Sequence, residues 1–293
     1  MTENAYPGLP SPPPLGASAL PPGTYEGHTV LVTGGGSGLG KAIATEFARL
    51  GADLVIVGRT ADRLKAAQEE LGALGGRVTA SVCDIRDPER IAEVFDAAPV
   101  LPDVLVNNAA ANFPVPAEDM SPNAWRAVVD ITLTGTWFMT REFGRRHLAA
   151  GTPGSVINVG ASYAWTGGPG FAHSAAAKAG VKNLVETLAV EWAPYGIQVN
   201  GLVPGLFPHA DLPEAIRGNL ERTDDDKASR QPALRVGQAR ELGWAATFLA
   251  SPYARFVSGH TMVVDGANWQ RRNVVNAPVV PVREQLGRGP YGQ

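Results

Sequence analysis

The chain has 293 residues, with 25 basic and 28 acidic side chains and a formal net charge of -3. Apolar residues make up 44% and charged residues 18%, enough to bury a substantial core and too apolar for wholesale disorder. The near-balanced charge, with no long basic run, argues against a nucleic-acid surface, and a single cysteine, Cys83, with histidines scattered at 28, 147, 173, 209 and 260 argues against an intrachain disulfide or a structural metal site.

Seven prolines between Pro7 and Pro22, interleaved with Gly, Ser and Ala, deny backbone donors and favour extended chain, so residues 1–24 read as a flexible arm. The pattern then changes to short β-rich runs alternating with longer helical ones. HTVLVT at 28–33 is followed by a helix from Gly38 to Leu50, DLVIVG at 53–58 and a helix from Ala61. RVTASV at 77–82, a helix after Asp87-Pro88, VLVNN at 104–108 and one long helix from Ser121 come next. SVINVG at 155–160, a helix over 174–192, IQVNGLV at 197–203 and TMVV at 261–264 complete the series. Strands apolar on both faces and separated by helices imply a parallel sheet covered on both sides. The expected fold is one Rossmann-type, doubly wound α/β domain over residues 25–268, with a seven-stranded parallel sheet flanked by helices. Residues 269–293 are rich in Val, Pro and Arg without periodicity and are expected to form a tail or a subunit contact.

Thr33-Gly34-Gly35-Gly36-Ser37-Gly38-Leu39-Gly40 falls where the first strand ends and the first helix begins. Glycines there let the backbone turn tightly and approach a diphosphate, whose charge the helix N-terminus stabilises. The second strand ends in Gly58-Arg59-Thr60 rather than in an acidic residue that would accept from ribose hydroxyls. A guanidinium there suits a 2′-phosphate and points to NADPH, although Arg59 would also serve as a solvated residue at a helix start. Asp84, after the third strand, suits either the adenine amino group or a helix N-cap.

These features, with Asn107-Asn108-Ala109-Ala110, Lys178 in Ser174-Ala175-Ala176-Ala177-Lys178-Ala179-Gly180, and Pro204-Gly205, resemble the short-chain dehydrogenase/reductase family over about residues 26–268. The family pattern implies cofactor contacts at Gly34, Gly36, Ser37, Gly38, Leu39, Gly40, Arg59, Asp84, Asn108, Lys178, Pro204 and Gly205. Most of that family carry Tyr-x-x-x-Lys with a serine thirteen residues before the tyrosine. Here Ser174 stands at the tyrosine position, Ala161 at the serine and Thr132 at the usual helix-four asparagine. An aliphatic hydroxyl is far less acidic than a phenol, so Ser174 cannot be the usual proton donor. A displaced tyrosine, Tyr163, lies fifteen residues before Lys178. This arrangement looks like the mitochondrial-type 2,4-dienoyl-CoA reductases, as do Asn112-Phe113, Ser121-Pro122-Asn123-Ala124-Trp125, Asp130-Ile131 and Cys83-Asp84-Ile85-Arg86-Asp87-Pro88.

By that resemblance Asn112, Tyr163, Ser174 and Lys178 form the active constellation, while Arg86, Phe113 and Ser121 contact an acyl-CoA. Hydride addition at C5 of a dienoyl thioester requires stabilisation of the charge arriving on the thioester oxygen, with the Tyr163 hydroxyl and the Asn112 amide as donors. Lys178 is expected to hold the nicotinamide ribose and to lower the phenol pKa. For the CoA phosphates, Arg141, Arg145, Arg146 and His147 read as cations at a helix end, whereas Arg217, Arg222 or Lys227 fall where the family has a substrate lid. A carbonyl or 3-oxoacyl reductase and a non-catalytic nucleotide-binding relative are the alternatives. The resemblance also implies a homotetramer. No run of roughly 20 apolar residues suggests a membrane span, and the first segment is unlike a signal sequence, so the expected location is the cytoplasm.

Overall fold

The computed structural model describes residues 8–14, 16–209, 224–271 and 280–289. Strands β1 (Thr29–Thr33), β2 (Asp53–Gly58), β3 (Val78–Val82), β4 (Val104–Asn107), β5 (Gly154–Val159), β6 (Ile197–Pro204) and β7 (Thr261–Val264) form one sheet in the order β3-β2-β1-β4-β5-β6-β7. All six pairings are parallel. The helices are α1 (Gly38–Arg49), α2 (Ala61–Gly72), α3 (Pro88–Ala97), α4 (Pro122–Val129), α5 (Gly135–Ala150), α6 (Tyr163–Thr166), α7 (Ala172–Trp192), α8 (Asp224–Ser229), α9 (Ala239–Ala250) and α10 (Val282–Gln285). Among the described residues no helix is long and apolar enough to cross a membrane.

Strand alternation divides the core between the two faces of the sheet. Val30, Val32 and Ile56 pack with Ile43 and Phe47 of α1 and Leu242 and Leu249 of α9. Leu31, Val55, Leu105 and Val156 pack with Met139 and Phe143 of α5 and Val185 of α7. All five residues of β1 are therefore buried, as expected of a strand covered on both faces. The chain runs outward from β1 to β3 and returns to β4 beside β1, so the sheet order reverses between β1 and β4. A crevice opens at the carboxyl ends of the strands at such a reversal.

Two sequence expectations change in detail. The long helix from Ser121 is interrupted: α4 passes through a π-helical turn at Asp130–Thr134 before α5. In that turn buried Thr132 accepts the Ala111 N–H at 3.2 Å, an example of a π-bulge placing a side chain beside a functional loop. The Pro-rich segment expected as a flexible arm instead docks, in its described part, along α9. Arg235 donates to the Pro10 carbonyl at 3.0 Å, Arg240 to Pro13 at 2.8 Å and Trp244 to Ala17 at 3.1 Å. Prolines give up donors but keep carbonyls, and three side chains of this helix and its approach supply the missing N–H groups.

Candidate active site

A cleft of about 480 Å³ lies at the β1/β4 reversal, and Gly34, Gly36, Ser37, Gly38, Leu39, Arg59, Asp84 and Asn108 all line it. Ser37 precedes α1 without a side-chain cap, and no acidic residue occupies the first turn. The N-terminus of α1, the positive end of the helix dipole, thus faces the cleft, as an anion site requires. A Cβ at Gly40 would lie 2.3 Å from the Gly34 carbonyl oxygen and 2.5 Å from Asn108 Nδ2, so this close approach admits glycine alone. Gly34 turns the chain at φ +68. Thr33 locks the opposing loop: its hydroxyl accepts the Asn108 and Ala109 N–H groups at 3.0 Å each, while Asn108 Nδ2 donates to the Thr33 carbonyl. The chemistry of this lining, glycines at a helix N-terminus with Arg59 at the edge, fits a dinucleotide.

The polar constellation assembles beside this cleft from three separate segments. Ser174 and Lys178 lie one turn apart on α7, Tyr163 begins α6, and Asn112 sits in the loop after β4. The Tyr163 hydroxyl is 2.9 Å from Ser174 Oγ, and Asn112 Nδ2 donates to the same phenol at 3.3 Å. Ser174 is fully buried inside the helix, whose N-cap is Phe171, so its hydroxyl serves the phenol and not a cap. Asn112 Oδ1 is buried without a hydrogen-bond partner among the described residues. Beneath the loop, Asn107 Nδ2 donates to Thr140 Oγ1 at 2.8 Å and to Asn158 Oδ1 at 2.9 Å, fixing the end of β4 to β5 and α5.

Electrostatics correct one expectation. Burial pushes the Tyr163 pKa above its ordinary value, opposed by the Ser174 hydrogen bond; Lys178 does not lower it. The ammonium group of Lys178 instead donates to the Val159 carbonyl at the end of β5. Full burial brings the Lys178 pKa down from 10.5 to about 8. The phenol therefore remains protonated at neutral pH and acts as a hydrogen-bond donor.

The remaining expected residues make the following contacts. Arg86 folds back on Asp84, its Nη2 2.5 Å from Oδ2, and does not line the cleft. This pairing holds the Asp84 carboxyl below the usual range, with Arg59 contributing a smaller effect. Asp84 is not a helix cap either, because α3 is capped by Asp87. Ser121 is exposed and caps α4, accepting from Ala124 N at 3.1 Å. Phe113 packs edge-on against His173 at 4.7 Å. Gly205 does not line the cleft: its N–H bonds the Val264 carbonyl at 2.9 Å, and a Cβ there would lie 2.5 Å from Asp265 Cβ. It and Pro204 close the sheet at β7. Arg145 and Arg146 pair with Glu142, in keeping with their reading as helix-end cations. Arg217 and Arg222 lie outside the described residues.

Three contributors escaped the sequence reading. Arg63 and His209 line the cleft, and His173 is fully buried next to Ser174, its Nδ1 accepting the Ser174 N–H at 2.7 Å. Arg63 lies in the first turn of α2, four residues after Arg59, a proximity that could have suggested it; nothing local marks the other two.

A family model described as enoyl-(acyl carrier protein) reductase matches residues 34–267. A Bacillus subtilis relative, named a probable 2,4-dienoyl-CoA reductase, (2E)-enoyl-CoA-producing, is 37% identical over 83% of this chain and 97% of its own length. An Arabidopsis thaliana relative named peroxisomal 2,4-dienoyl-CoA reductase, (3E)-enoyl-CoA-producing, is 36% identical over 86% of this chain and 88% of its own. The crystal structure of a Burkholderia cenocepacia gluconate 5-dehydrogenase in complex with NADP and tartrate superposes with a TM-score of 0.78 at 31% identity, covering 85% of this chain and 98% of that one. With the glycine cradle, the parallel sheet and these matches together, the chain belongs to the short-chain dehydrogenase/reductase family of oxidoreductases.

Proposed function

We propose that this oxidoreductase reduces 2,4-dienoyl-CoA thioesters to 3-enoyl-CoA with NADPH, a step in the degradation of unsaturated fatty acids, and that it works as a homotetramer built through α4, α5 and α7. The observation that carries the reading is the meeting of the Tyr163 hydroxyl and the Asn112 amide beside Ser174, with a serine where ketone-reducing members of the family keep their phenol. The N-terminus of α1, the glycines before it, Arg59 and Lys178 would hold NADPH, Arg59 toward the 2′-phosphate and Lys178 on the ribose. When bound, NADPH supplies the hydride that adds at C5 of the conjugated chain.

The protein's own part is to stabilise charge. Negative charge reaches the thioester oxygen through conjugation, and a site between two donors 3.3 Å apart offers it two hydrogen bonds. Tyr163 donates because burial keeps it protonated. Ser174 orients the phenol from the buried side, and its small side chain leaves space for a planar substrate. A proton taken from water at C2 then leaves the double bond between C3 and C4. The two dienoyl-CoA reductase relatives differ in their named product, 2E for Bacillus subtilis and 3E for Arabidopsis thaliana, so double-bond position is the discriminating readout.

Purified protein mixed with NADPH and a 2,4-dienoyl-CoA is expected to oxidise the cofactor and to yield a 3-enoyl product by mass spectrometry and NMR. A 2-enoyl product would overturn protonation at C2, because the same dienolate protonated at C4 keeps a double bond between C2 and C3. Turnover of a 3-oxoacyl or sugar-acid ketone with no turnover of the dienoyl-CoA would overturn the substrate class. NADPH binding without turnover of any of them would mark a non-catalytic relative.

A further inference from the structure

The C-terminal segment, unassigned by the sequence, reaches the two loops that carry the oxyanion donors. Arg283 Nη1 lies 2.8 Å from each carboxylate oxygen of Asp119 and 3.2 Å from Glu118 Oε1, and Arg288 Nη1 lies 2.7 Å from Asp119 Oδ2. Asp119 ends the 3₁₀ turn Ala117–Asp119 in the loop after β4, which also carries Asn112. On its other side the segment meets Gly170, whose Cβ position is 3.6 Å from Val282 Cγ1 and 3.8 Å from Leu286 Cδ1. Gly170 belongs to the loop that follows Tyr163. The two loops join directly where Val115 N–H donates to the Gly170 carbonyl at 2.8 Å. Trp269, at the start of the same C-terminal region, stacks on Trp165 of α6 with ring centroids 5.3 Å apart.

We propose that residues 280–289 form a clasp across the substrate mouth, in which Asp119 is a positioning residue that acts through Arg283 and Arg288 to hold the Asn112 loop against the Tyr163 loop. The proposal rests on the reading of Asn112 and Tyr163 as the substrate-facing donors. Its logic is that of preorganisation: donors on separate loops stabilise developing charge without reorganising only if their spacing is fixed beforehand. Two arginines on one carboxylate give the clasp direction, because planar guanidinium and carboxylate groups favour a defined mutual orientation. Arg283 and Asp119 are about one-fifth exposed, so solvent screens the pair less than it would a fully exposed one.

The test compares Asp119→Asn, Arg283→Ala and Arg283→Lys in the full chain, after thermal melts and NADPH titrations show that each is folded and binds cofactor. For Asp119→Asn and Arg283→Ala we expect kcat/KM for the dienoyl-CoA to fall about tenfold, mostly in kcat, with NADPH affinity unchanged and partial rescue in Arg283→Lys. Amide exchange at Val115 should accelerate about tenfold in the same two variants without substrate present. Unchanged Val115 exchange, or kcat and NADPH affinity falling together, would overturn the clasp. If the wild-type protein does not turn over dienoyl-CoA, the reaction assignment fails by itself and the exchange measurement alone decides the clasp.

Discussion

The nucleotide cleft and the proposed substrate end of this molecule are built in different ways. At the cofactor end, residues 33–40 carry the turn, the helix start and the close backbone approach in one contiguous stretch, and Thr33 ties it to Asn108 and Ala109 on the adjacent strand end. At the substrate end, Asn112, Tyr163 and Ser174 come from three segments and meet through side-chain hydrogen bonds. The first site follows from backbone geometry. The second depends on how separate loops are held, so substitutions there should affect turnover while leaving cofactor binding intact.

The sharpest way to break that contrast is Tyr163→Phe. Loss of one oxyanion donor typically costs about 10²–10³ in rate, so kcat should fall by that order while NADPH affinity, read by fluorescence titration, stays unchanged. A parallel loss of cofactor affinity would show that the two ends are not independent. At the other end, Arg59→Ala removes a charge-assisted contact worth about 1.5–3 kcal/mol. NADPH binding should weaken by about 10- to 100-fold and NADH binding hardly at all; equal losses would remove Arg59 from the 2′-phosphate site. Arg63, which lines the same cleft, is the second substitution to test for any preference for NADPH that survives.

Lys178, buried on α7 one turn from Ser174, gives a pH signature. Its pKa is lowered from 10.5 to about 8 by burial. Below about pH 8 it is charged both folded and unfolded, whereas between about 8 and 10.5 the unfolded chain holds a proton that the folded chain has lost. Its contribution to stability therefore rises with pH across that window, while a step that needs its charge weakens above about pH 8. Thermal melts should show this rising contribution in the wild type relative to Lys178→Met, and kcat/KM should decline over the same interval. The smallest expected effect is that of Ser121→Ala. If its hydroxyl does no more than cap α4, stability falls by about 1 kcal/mol with KM for the acyl-CoA unchanged. A marked rise in KM would restore Ser121 to the substrate site.

Local spacing was a good guide wherever one element carried the chemistry. The alternation of apolar runs and helical stretches predicted seven parallel strands, and the glycine run predicted the opening of α1 against the cleft. Lys178 and Ser174 share a helix face through their i, i+4 spacing, which is also visible in the sequence. Spacing could not choose where a side chain had several partners available. Arg86, read from the family resemblance as an acyl-CoA contact, pairs with Asp84 two residues away. The Lys178 ammonium group looked like a means of acidifying the phenol but is taken up by a backbone carbonyl. The π-helical turn at Asp130–Thr134 inserts no signature residue, and only its contact with Ala111 reveals its use.

By itself the sequence determined the parallel sheet and the glycine-lined nucleotide loop, because each follows from periodicity or from backbone freedom within a short stretch. The tertiary structure decided the protonation of Tyr163, the partner of Lys178, the docking of the Pro-rich segment and the reach of Arg283 and Arg288 to Asp119. Those outcomes depend on burial and on contacts between residues as far as 227 positions apart, and neither quantity is a property of any local stretch of chain.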